Sequence, residues 1–93
     1  MKQNGFGLVL SYPNEPTEAQ RVALAAALGT RGLVATHDGG WHRRLRYFVT
    51  AEAPRQHVTD DDLLGLERWL ETQRDLNYEC EPIVDARTRR LDV

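Results

Sequence analysis

The 93-residue chain carries 12 basic and 14 acidic side chains, a net charge of −2, so it has no general attraction for nucleic acid or anionic membrane and any such binding needs a local patch. A chain of this length predicts one domain over 1–93 with a modest core. Its longest apolar run, Val22 to Leu28, is too short to span a bilayer, Met1 to Asn4 opens no secretory signal, and the single cysteine, Cys80, has no internal partner, which together predict a cytoplasmic protein.

In chain order, Phe6, Leu8, Leu10 and Tyr12 alternate with Gly7, Val9 and Ser11, the period-two pattern of a strand with one buried face. Pro13-Asn14-Glu15-Pro16 ends it. Thr17 and Gln20 form the Thr-x-x-Gln capping box of an alanine-rich helix over 18–28, with Gly29 and Gly32 at its exit. Leu33 to Thr36 predicts a second strand, and His37-Asp38-Gly39-Gly40 has the chemistry of a tight reversal. The third strand, Trp41 to Thr50, then turns Trp41, Arg43, Leu45, Tyr47 and Val49 to the core and His42, Arg44, Arg46, Phe48 and Thr50 away from it.

After a loop broken by Pro54 comes the clearest signal in the chain. Thr59 is placed to cap the N–H of Asp62, and Asp60, Asp61 and Asp62 oppose the positive end of the helix dipole. Leu63, Leu66 and Leu70 recur at helical spacing, with Trp69 on the shoulder of the stripe and expected to be largely buried. Leu76, Tyr78 and Cys80 alternate with Asn77, Glu79 and Glu81 as a fourth strand that Pro82 either ends or places at an edge, and the charged tail from Ala86 is expected to fray.

Strand, helix, strand, strand, helix, strand predicts an α+β fold: a ferredoxin-like split βαβ sandwich, with a four-stranded antiparallel sheet and both helices on one face. The other face stays open. It should display Val9, Val34 and Phe48 among His42, Arg44, Arg46, Glu79 and Glu81.

The strand ending in Tyr12-Pro13, Thr17-Glu18-x-Gln20, Gly32-Leu33, Gly39-Gly40, Val58-Thr59-Asp60-Asp61, Trp69-Leu70-Glu71 and Val84-Asp85-Ala86 together resemble the YggL family of small bacterial proteins. The resemblance runs from Phe6 to Ala86. It implies the same fold and, because members of that family are described as binding the large ribosomal subunit, contact with that subunit or its RNA. This chain departs from the pattern in a shorter first helix, in a stretch before Glu15 whose only charge is Lys2 where the family carries a basic segment, and in Arg87, which stands where the family tends to place an aromatic.

The residues suited to RNA contact are His42, Arg43, Arg44 and Arg46, with Phe48 as a stacking surface, although the glycine-aromatic signature of an RNA-recognition strand is missing. Arg44 and Arg46 project from one face about 6–7 Å apart, close to the spacing of successive phosphates. Arg87, Arg89 and Arg90 make a second basic cluster. The plain alternatives are a solvated strand face and a frayed end. In a different class of function, Val9, Val34 and Phe48 pair with the same face of a second copy, making the domain a protein-interaction module.

His37, Asp38, His42 and His57 with the three aspartates match no ligand spacing, so no metal is expected. Cys80 reads as a small buried filler and Asp85 as a turn or cap acceptor at the end of the fourth strand. No Ser-His-Asp order, phosphate-cradling loop or paired carboxylates emerge, and an open-faced sheet offers little concave volume. The sequence therefore predicts a binding module rather than an enzyme, with no cofactor, no membrane contact and no small-molecule substrate.

Overall fold

The computed structural model describes residues 4–85. Its elements are β1 (Asn4–Ser11), α1 (Glu18–Gly29), β2 (Leu33–Trp41), β3 (Arg44–Ala51), α2 (Asp60–Glu71), β4 (Asn77–Cys80) and β5 (Val84–Asp85). The sheet runs β2-β3-β1-β4, with β5 pairing the start of β1, and every pairing is antiparallel. β1 lies between β3 and β4 because its alternation supplies the most apolar inward row: Phe6, Leu8 and Leu10 are wholly buried. Leu24 and Leu28 of α1 join Leu66 and Leu70 of α2 in the same core cluster as that row and Val49. Both helices thus cover one face. Among the described residues no helix is long and apolar enough to cross a membrane.

Both helix starts form as their sequences predict. The Thr17 hydroxyl accepts from the Gln20 N–H at 3.2 Å while the Gln20 side chain accepts from the Thr17 N–H at 2.8 Å. At α2 the Thr59 hydroxyl accepts from the Asp62 N–H at 3.2 Å, and Asp62 accepts from the Thr59 N–H at 2.8 Å. The leucine stripe faces inward, with Leu66 and Leu70 fully buried. Trp69 is only partly buried, packed against the core from the shoulder of the stripe and not within it as expected.

The third strand differs from its prediction at its start. The reversal lies at His42-Arg43, where Trp41 pairs with Arg44 and His42 takes a left-handed backbone at φ 62. His37 to Gly40 stay inside β2 as a bulge: the register skips from His37 opposite Tyr47 to Gly39 opposite Arg46, leaving Asp38 as the extra residue. Arg43 is therefore in the turn and exposed, which removes the one charged residue from the predicted core row; Leu45, Val49 and Ala51 are buried beneath it and Tyr47 is half-buried. β4 stops before Pro82 as its sequence predicts. The two-residue β5 that follows has no signal of its own. The predicted frayed tail, with Arg87, Arg89 and Arg90, lies outside the described residues.

Arg55, a loop residue with no motif, fastens α2 to the rest. It donates to Asp62 at 2.6 Å and to the carbonyls of Arg31 at 2.9 Å and His57 at 3.3 Å. Burial pushes the Asp62 carboxyl up, but the hydrogen bonds from Arg55 and from the Thr59 N–H and hydroxyl, with the Arg55 charge, outweigh it and hold the carboxyl below its ordinary range. A depressed folded value means that the stability from Asp62 is present above its unfolded pKa of about 3.9 and is lost as pH falls through the folded one. Asp62→Asn should therefore cost about 1–2 kcal/mol at neutral pH by urea denaturation, and the gap should close below about pH 4. A gap that persists unchanged in acid contradicts this role.

Candidate nucleic-acid interface

The uncovered face is built on a β1 row of small residues, Gly5, Gly7, Val9 and Ser11. Register sets Phe48 opposite Gly7, Arg46 opposite Val9 and Arg44 opposite Ser11 on β3, with Glu79 opposite Val9 and Asn77 opposite Ser11 on β4. The absence of side chains at Gly5 and Gly7 lets the Phe48 ring and the Glu81 carboxylate lie down against the strand. Phe48 is accordingly half-buried against backbone and offers less stacking surface than its position in the sequence suggests.

The four residues of the predicted basic patch separate into two groups. Arg46 reaches across β1 to Glu81, Nη2 to Oε2 at 3.0 Å, while its Nε lies 3.8 Å from Asp38 on the bulge. Its charge is thus balanced from both sides, and the centre of the face carries a cross-sheet clamp. Arg46→Glu would bring a third carboxylate beside Asp38 and Glu81; with all three side chains partly solvated it should cost about 1 kcal/mol, read as a lowered urea midpoint. An unchanged midpoint would show the clamp to be idle.

His42, Arg43 and Arg44 gather instead at the hairpin end. Arg43 and Arg44 are exposed, and among the described residues no carboxylate lies within ion-pair distance of either. Arg43 is held by the backbone: its Nη1 donates to the Pro13 carbonyl at 3.1 Å, and its own carbonyl accepts from the Tyr12 N–H at 2.7 Å. His42 lies 3.9 Å from Glu15 with both side chains largely in solvent, a weak contact. Arg43 and Arg44 border an open groove of about 590 Å³ with Ser11, Pro13 and Asn77, and among the described residues Asp75 is the one acid on it.

Val9, Val34 and Phe48 fall on one diagonal of the same face, through Val34 opposite Thr50 and Val9 opposite Arg46. Val34, on the edge strand, is 45% exposed, whereas Val9 and Phe48 are half-buried. Cys80 packs beside the core; burial, then the charge of Glu67 and a hydrogen bond to it, push its thiol up to about 12, so it is a neutral filler at neutral pH. Asp85 sits in β5 opposite Asn4. Among the described residues no three His, Cys, Asp or Glu side chains gather to hold a metal ion.

Two features carry no motif in the sequence. Asn4 accepts from the Val58 N–H at 2.7 Å and donates to its carbonyl at 3.1 Å, tying the start of β1 to the residue before the α2 cap. On the helix side of the sheet, a cleft of about 240 Å³ opens between α1 and the strands, walled by Leu24, Leu28, Leu45, Tyr12 and Tyr47 with Arg21 beside it. The sequence led to the expectation of little concave volume in this chain; this cleft departs from it, because α1 does not close fully over the strands beside Tyr12 and Tyr47.

Comparisons with protein-family models, with curated proteins and with solved structures found no match for this chain.

Proposed function

We propose that this chain is a non-catalytic cytoplasmic binding module of the YggL type that contacts the large ribosomal subunit through RNA phosphates at the hairpin end of its sheet. The observation that carries the reading is the exposed Arg43-Arg44 pair, free of carboxylate partners among the described residues and beside an open groove. Arg46, held by Glu81 and Asp38, has a structural role instead. The sheet order β2-β3-β1-β4 with antiparallel neighbours favours the ferredoxin-like arrangement that the resemblance implies. Co-sedimentation of the purified chain with large subunits should be seen at low salt and weaken steeply as salt rises, because bound phosphates release counterions.

The exposure of Val34 favours a second reading, a homodimer closed over the diagonal of Val34, Phe48 and Val9. Apolar pairing keeps its strength as ionic strength rises, so the salt response separates the two readings.

A further inference from the structure

We propose that the cleft between α1 and the sheet is a binding site for a small monocarboxylate with an apolar body. Its walls supply the apolar part: Leu24, Leu28 and Leu45 line it together with the faces of Tyr12 and Tyr47. The volume of about 240 Å³ holds about eight water-sized groups at roughly 30 Å³ apiece, which sets the size of the occupant near that of an eight-carbon chain. Larger drug-sized ligands need pockets of about 300 Å³ or more.

The polar part is supplied by three groups of one kind. Arg21 is exposed, makes no ion pair among the described residues, and lies close enough to both tyrosines for its charge to act on each hydroxyl. Neither hydroxyl is hydrogen-bonded within the described residues, and burial keeps both in the neutral form that donates. Among the described residues, no acidic side chain lines the cleft. One positive charge with two O–H donors near it is complementary to a carboxylate; an ammonium would be repelled, and a dianionic phosphate would meet a single countercharge. The cleft lies on the helix side of the sheet and meets the hairpin groove at Tyr12, which borders both.

The test uses sodium octanoate and 1-octanol as matched probes, followed through the amide and side-chain NMR signals of the intact chain. Octanoate at millimolar concentration should shift the signals of Leu24, Leu28, Leu45 and Tyr47 and bind about tenfold more tightly than octanol. Arg21→Gln should erase that preference. Ala25→Phe, on an exposed position of α1 that borders the cleft, should fill the space and abolish binding of both probes while the rest of the spectrum is kept. The proposal is overturned if millimolar octanoate leaves the cleft signals in place, if octanol binds equally well, if Arg21→Gln keeps the preference, or if Ala25→Phe still binds.

Discussion

Phe6→Ala should be the most damaging single truncation, costing about 3–5 kcal/mol of a total that for this length is about 5–14 kcal/mol. Phe6 is wholly buried at the start of the central strand, opposite Val49, so the vacated volume has strands on both sides and helices above and cannot collapse. The melting temperature should fall by on the order of 20 °C. Trp69→Ala, removing a larger but only partly buried ring, should cost less. Denaturant titration of the two variants side by side decides the order, and a Trp69 variant weaker than the Phe6 variant would mean that α2 packs more deeply than the structure shows.

Two glycines of β1 should respond differently to the same added methyl. At Gly5 a Cβ would strike the Val49 carbonyl oxygen and come within 2.9 Å of the Phe48 ring, so β1 and β3 would have to part; Gly5→Ala should cost about 2–4 kcal/mol. At Gly7 the Cβ would meet the Glu81 carboxylate, the far end of a flexible side chain that can swing aside. Gly7→Ala should then lose little beyond the Arg46–Glu81 pair, about 1 kcal/mol. Equal costs by urea denaturation would show that Glu81 is fixed as rigidly as backbone.

What was legible in the sequence is what depends on neighbours a few residues apart. The Phe6-Leu8-Leu10 alternation, the Thr17 box, the Thr59 cap and the Leu66-Leu70 stripe each state their geometry within one or two turns, and each forms. Asp38-Gly39-Gly40 misleads for a physical reason: left-handed conformations serve a bulge as well as a turn, and Gly39 at φ 140 and Gly40 at φ 72 are used to carry β2 on to Trp41. That moves Arg43 from the core row to the hairpin tip, where it joins Arg44. The pairing of Arg46 with Glu81 spans 35 positions, and that of Asn4 with Val58 spans 54; neither has a period to reveal it. The cleft beside Arg21 depends on how far apart α1 and β3 come to rest, which no local pattern encodes.

The division of the arginines into a structural Arg46 and an exposed Arg43-Arg44 pair is tested most directly by co-sedimentation with the large ribosomal subunit. Arg43 and Arg44 are exposed, so changing both to glutamate should alter stability by no more than about 1 kcal/mol, verified by melting before the assay. At low salt the wild type should sediment with the subunit and the Arg43→Glu/Arg44→Glu protein should stay at the top of the gradient, while Arg46→Glu, though less stable, should still sediment. A double variant that travels with the subunit as the wild type does would contradict phosphate contact at the hairpin end.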